Sequence, residues 1–210
     1  FGQARWMDWP GKVHSAEELR EDGRKDVAFA AGVTNPGPQR SRFGGLIGGP
    51  KLEATGFFRV EKVNGKWWFV DPEGDLFWSI GINGTGNGDR TRVKGREHLF
   101  PESLRTEPRV GLYEENLKRK YGGEDWLAKH TDVVVARMQD WGVNTVGAWS
   151  SRDVMGTQRI PYTLIHHTAM HGFNSVEKIP DPFSESFQKS LEQGLASLAS
   201  EHAGSPWLVG

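Results

Sequence analysis

Apolar residues in this chain fall into short dense runs separated by turn-rich stretches, and the spacing alternates between strand-like and helix-like. The densest run is Leu76 to Asn83, which passes into the Gly/Asn-rich segment Gly84 to Gly88. Such a run, ending at a polar loop, predicts a strand buried on both faces, as parallel sheets require. Val143 to Ser150 and Ile160 to His167 repeat the pattern and predict a second and a third strand. Ser205 to Gly210 reads as the opening of a fourth. Between the first two strands, Glu124 to Trp141 carries Leu127, Val134, Met138 and Trp141 along one side, with Gly142 at the cap position. A later helix starts from Asp181 or Ser184 as cap and carries Phe187, Leu191, Leu195 and Leu198. Alternating strands and helices imply right-handed parallel crossovers.

Upstream the pattern weakens. Residues 1–56 are punctuated by Gly and Pro and predict an arm that packs on a neighbouring surface. Its one helix, from about Ala16 to Ala31, is announced by Ser15 and Glu18 at capping-box spacing. Residues 57–210 form the second unit. It opens with two strand-like runs flanking Asn64-Gly65, the dipeptide favoured where both turn residues need positive φ. This hairpin feeds the first buried strand through Asp71-Pro-Glu-Gly74. The long loop from Gly84 to about Pro108 carries Arg90, Arg92, Lys94, Arg96 and His98. It follows a strand's carboxyl end, where parallel folds place ligands, and reads equally well as a solvated basic loop.

Composition narrows the classes. The 210 residues carry a formal net charge of -1, against a nucleic-acid binder, which needs a basic face. No run reaches the roughly 18 apolar residues of a membrane helix, and none resembles a signal peptide. The chain opens on Phe1 and not Met, which implies residues ahead of it. The absence of cysteine removes disulfides and thiolate sites. Nine tryptophans are many for this length: they serve either as core side chains or as flat platforms for pyranose rings.

Several segments together resemble a known family. Asp8-Trp-Pro-Gly-Lys12, Phe43-Gly-Gly, Thr55-Gly-Phe-Phe-Arg-Val60, Trp67-Trp-Phe-Val-Asp-Pro-Glu-Gly74, Trp141-Gly-Val-Asn-Thr145 and Ser205-Pro-Trp-Leu-Val-Gly210 resemble the β-agarases of glycoside hydrolase family 50, in order along the whole chain. Asp75 departs from the pattern, which has His there. The resemblance implies an α/β fold, a partial (β/α)8 TIM barrel with an N-terminal extended arm and a capping β-hairpin, truncated at the start of strand four. It implies a retaining glycoside hydrolase that cleaves β-galactosidic linkages of agarose-like galactans. Its acid/base and nucleophile Glu residues are expected after residue 210, so that this chain alone is expected to be inactive. The implied partner is a polysaccharide or oligosaccharide, with no nucleic acid, membrane, metal or cofactor, and the implied location is secreted or periplasmic. Another barrel glycosidase, such as a β-galactosidase, or a non-catalytic carbohydrate-binding protein is the alternative.

Strand parity then selects substrate-binding candidates. If Asn83 points into the barrel, Gly81, Ser79 and Phe77 do too, while Trp78, Ile80 and Ile82 face the helices. Asn83 is placed to meet a sugar hydroxyl or to cap a loop. Trp149, at the end of the second strand, is a subsite floor or a core residue. Of His166 and His167 only one faces inward; His167 is the candidate. His167 and His171 stand four apart, but nothing predicts a helix there and no carboxylate completes a metal site.

Overall fold

The computed structural model describes all residues except 1, 5, 35, 36, 38, 87, 167–174 and 177–178; of 175 and 176 only the backbone is described. Helix α1 (Ala16–Gly32) begins at Ser15, whose hydroxyl accepts the Glu18 amide as the capping box requires. β1 (Arg59–Val63) and β2 (Lys66–Val70) are antiparallel, and β3 (Leu76–Phe77) continues that sheet. β4 (Gly81–Ile82) begins a second sheet. β5 (Thr91–Arg92) and β6 (Arg109–Val110) form a ribbon, followed by α2 (Leu112–Tyr121) and α3 (Trp126–Asp140). β7 (Thr145–Val146), α4 (Arg152–Met155), the short pair β8 (Ser175–Val176) and β9 (Ile179–Pro180), and α5 (Glu185–His202) complete the order. The Asn64-Gly65 turn has φ of 50° and 80°, the positive pair expected of it.

The second sheet is parallel. Gly81 and Ile82 pair with Thr145 and Val146. Single parallel bridges then join Val146 to Tyr162 and Tyr162 to Leu208. Neighbours in space are therefore neighbours in sequence, with helices in each connection, as right-handed crossover units demand. Two differences from the sequence reading stand out. The run Leu76 to Asn83 is not one strand: Leu76–Phe77 pairs antiparallel with β2, and Gly81–Ile82 pairs parallel with β7. Nor is it buried on both faces, since Trp78 is 61% and Ile80 43% exposed. The break has a cause in Asn144, whose Oδ1 accepts the Ile80 amide at 2.8 Å while its Nδ2 donates to the Trp78 carbonyl at 3.0 Å. A side chain stands there in place of a neighbouring strand's backbone. Similarly, the segment 84–108 is not a bare loop, because Val93, Phe100 and Val110 form a small core with Leu104 and Leu112.

The main core lies between the parallel sheet and its helices: Val135, Met138, Val146, Val154, Ile160 and Tyr162, closed by Phe43 of the arm and Trp207. Burying each large apolar side chain contributes about 1.5–3 kcal/mol. On α3 the stripe differs from the expected one, since Trp141 is exposed while Val133, Val135, Ala136 and Met138 are buried. The helix must face both the sheet and α1 with α2, so it buries two sides. No residue of α5 is fully buried, and Leu195 of its expected stripe is 49% exposed. The arm is anchored by Asp26 of α1. Its carboxylate meets Lys120 at 2.8 Å, the Tyr121 hydroxyl at 2.9 Å and Arg137 at 2.6 Å. Lys51 pairs with the buried carboxylate of Asp75 at 2.9 Å and fastens the arm to the hairpin turn.

Candidate functional site

Strand parity can now be read from contacts. Val146 points into the helix-side core, so Thr145 and Gly147 point to the other face. Ser79 reaches Thr145 there, hydroxyl to hydroxyl at 2.7 Å. A Cβ on Gly81 would stand 3.4 Å from the Thr145 Cβ, and one on Gly147 would overlap Asn83 Oδ1. Ser79, Gly81 and Asn83 thus share a face with Thr145 and Gly147, on the side away from the helices. Phe77, assigned to the same set, instead packs edge-on against Phe58 at 4.9 Å under the hairpin. Backbone bonds hold Asn83 in place from both sides: Gly147 donates to Ile82 at 2.8 Å and Gly84 to Ala148 at 2.8 Å. Only glycine at 147 leaves room for the Asn83 amide.

A cavity of about 420 Å³ lies on the helix side of the third parallel segment, between α4 and α5, and reaches the loop after β7. Trp149 forms one wall and is 72% exposed, with φ of 57°, a left-handed conformation that bulky residues avoid. The loop holding it is tied down on its far side: the Thr85 amide donates to Ser150 Oγ at 3.2 Å, and Ser151 donates back to the Thr85 carbonyl at 2.6 Å. Opposite, the Tyr162 hydroxyl lies 3.1 Å from His202 Nδ1, joining the third parallel segment to α5. Glu201 is the sole carboxylate lining this cavity among the described residues. An apolar wall with a few convergent polar groups suits a neutral ligand with hydroxyls.

The sequence-derived candidates therefore separate. Trp149 lines the cavity; Asn83 stands against Gly147 on the face away from the helices and is not in its wall. His166 lies on the helix side, its ring so close to Gly194 of α5 that a Cβ there would collide with it. Its Nε2 is buried with no partner among the described residues. The candidate His167, like His171, lies outside the described residues. Sequence reasoning missed Tyr162 and His202, which carry no motif. It also missed His130, buried beside Tyr113 and Tyr121 with Nε2 3.4 Å from the Gly86 carbonyl. Burial holds the His130 pKa below the ordinary imidazole value. No group of three or more potential metal ligands occurs among the described residues.

Comparison with known proteins supplies the class. No protein-family model matches the chain. Beta-agarase B of Vibrio sp. (strain JT0107) is 30% identical to it over 258 aligned residues, covering 100% of this chain and 27% of that protein. Beta-agarase A of the same strain is 24% identical over 254 residues, covering 100% and 25%. Among solved structures, "an agarase, AgWH50C" superposes with a TM-score of 0.85 at 28% identity, covering 100% of this chain and 36% of that one. PfGH50B gives 0.85 at 30% identity and the same coverage. An exo-beta-agarase gives 0.77 at 26%, covering 37% of its chain. The relatives are polysaccharide-cleaving glycoside hydrolases. The resemblance of this chain to the β-agarases of glycoside hydrolase family 50 is established by these matches along its whole length. The chain spans about a quarter of the length of the curated relatives it matches.

Proposed function

We propose that the protein carrying this chain is a secreted or periplasmic retaining glycoside hydrolase that cleaves β-galactosidic linkages of agarose-like galactans. The observation that carries this reading is the likeness to agarase structures over the entire chain, at 28–30% identity. In this reading residues 1–210 supply the arm, the capping hairpin and the first half of a (β/α)8 barrel. The four parallel segments in sequential order support it, because a barrel is wound in that order. Parallel barrels bind ligand at the strands' carboxyl ends, where Trp149 and Asn83 stand. Trp149 offers a sugar ring its indole face, Asn83 bonds a hydroxyl, and His167 is the third candidate for substrate contact.

Retaining hydrolysis needs two carboxyl groups about 5–5.5 Å apart, one to protonate the leaving oxygen and one to attack the anomeric carbon. The family resemblance assigns the catalytic Glu pair to residues after 210. These 210 residues then bind and position the polymer and leave bond cleavage to the pair. Incubating the full-length protein with agarose and following the anomeric proton of the first product tests both parts. A β-configured new reducing end from a β-linkage is the expected result. Absence of cleavage, or an inverted product, overturns the activity or the mechanism respectively.

A further inference from the structure

The ribbon that follows β4 carries a feature separate from the cavity. Its register sets Thr91 opposite Val110 and Arg92 opposite Arg109. Alternation turns Val93 and Val110 into the small core with Phe100. The same alternation turns Arg92 outward beside Arg109; Arg90 before it and Lys94 in the turn after it are exposed as well. They line one open depression of about 520 Å³ together with Glu107 and Pro108. Elsewhere Arg20, Arg24, Arg59, Arg137 and Arg159 all sit in ion pairs, whereas among the described residues none of these four cations does. Like charges directly opposed across an antiparallel pair destabilise it. Here the opposition is built into the register of a ribbon held rigid by its own core. The chain as a whole has a net charge of -1, so this is a local concentration and not general basicity.

Arg90 and Arg92, two residues apart, and Lys94 in the turn beyond them form a short row, with Arg109 opposite Arg92. Four cations along one open depression suit an extended polymer bearing repeated anionic groups better than a single phosphate. Guanidinium groups pair with planar or tetrahedral oxyanions through two parallel N–H bonds. We propose that this ribbon is a subsite for the anionic substituents of a galactan, sulfate ester or carboxylate. The identity of the polymer rests on the function proposed above. The ribbon's outward row has no aromatic residue interleaved for base stacking, which sets nucleic acid aside.

The test is binding of the full-length protein to a sulfated galactan, to the same polymer after desulfation, and to a carboxylated galactan of equal length. Tighter binding of an anionic form, fading as salt rises, is expected, and the form preferred names the group. The double variant Arg92→Gln/Arg109→Gln should shrink the anionic-to-neutral affinity ratio by roughly threefold to tenfold at low salt. Arg90→Gln/Lys94→Gln provides a second reading should the first variant misfold. Lys62→Gln on the hairpin, an exposed cation away from the row, should leave the ratio as it is. Equal affinity for charged and neutral polymers overturns the proposal. So does an unchanged ratio in both double variants, or duplex DNA or anionic vesicles binding as tightly as the charged galactan. Turnover of neutral agarose tests the parent reading and the affinity ratio tests this one, so the two failures are distinguishable.

Discussion

Asn144 and Ile80 are joined by a 2.8 Å hydrogen bond from the Ile80 amide to Asn144 Oδ1, at the point where the chain leaves the hairpin sheet and enters the parallel one. The other end of the same side chain donates to the carbonyls of Trp78 at 3.0 Å and Gly44 at 3.1 Å. One buried amide therefore ties the arm, the first strand and the second strand together. Gly44, at φ of 80°, lies so near that a Cβ would stand 2.9 Å from the Asn144 Cβ.

Replacing Asn144 by Ala leaves the Ile80 amide and the Trp78 carbonyl without these partners, while the Gly44 carbonyl keeps Arg40 at 3.0 Å. Each orphaned group costs about 1–3 kcal/mol, so a loss of roughly 2 kcal/mol or more is expected. Asn144→Asp keeps the acceptor for Ile80 but removes both donors and buries a charge, and should be at least as damaging. Urea titration of the full-length variants measures both. A change below about 1 kcal/mol in both would show that the joint is not carried by this side chain.

Trp149 adopts a left-handed conformation while largely exposed, so its side chain adds strain and little packing. Trp149→Gly should relax the backbone and hold or raise the melting temperature, since that conformation costs about 1–2 kcal/mol for a residue with a Cβ. The same variant, and Trp149→Ala, should weaken agaro-oligosaccharide binding by about threefold to tenfold. Lower stability with unchanged binding would reassign Trp149 to a structural role.

Gly147→Ala probes the neighbouring candidate without removing it. A Cβ at 147 overlaps Asn83 Oδ1, so the amide must swing away. Binding should weaken as it does in Asn83→Ala. If Asn83→Ala binds oligosaccharide like the wild type, Asn83 is a loop cap alone.

Acid should loosen the arm in two steps. The His130 pKa is lowered by burial, with Arg137 and Lys120 adding to the effect, while the Gly86 carbonyl and Asp26 oppose it. The unfolded chain binds that proton more tightly, so stability contributed by neutral His130 is full above about pH 6.5 and falls as pH drops below it. Burial pushes the Asp26 carboxyl up, but its bonds to Lys120 and Tyr121 and the charge of Arg137 more than offset this and hold its pKa low. Its contribution is full above about pH 4 and is lost as pH falls through the folded value. Hydrogen exchange of α1 should rise across both windows. In His130→Gln the step below about pH 6.5 should vanish, leaving the acidic one.

The 210-residue chain by itself should not turn over agarose, because the two-carboxylate mechanism needs a Glu pair that the family resemblance puts after residue 210. Trp67, Trp78, Ile80 and Phe183 are exposed, so the isolated chain should also bind hydrophobic dyes and aggregate on heating. Reducing sugar released by the purified chain, or a sharp reversible melt of a monomer, would contradict these expectations.

Local chemistry by itself determined the elements whose cause lies within a few residues. Ser15 with Glu18 set the start of α1, and Asn64-Gly65 set the hairpin register. Gly142, at φ of 72°, ended α3, and apolar runs located the parallel segments. Parity placed Ser79, Gly81 and Asn83 on one face, because side-chain alternation is a property of a strand's own backbone. Only the tertiary structure decided where the run Leu76–Asn83 breaks, since that depends on Asn144, more than sixty residues away. It alone turned His166 onto Gly194 and set Tyr162 against His202. It also exposed Trp149 while burying Trp207 at 4.5 Å from Phe43. Two tryptophans look alike in a sequence; which one is covered depends on what the rest of the chain brings against it, and that is a long-range property.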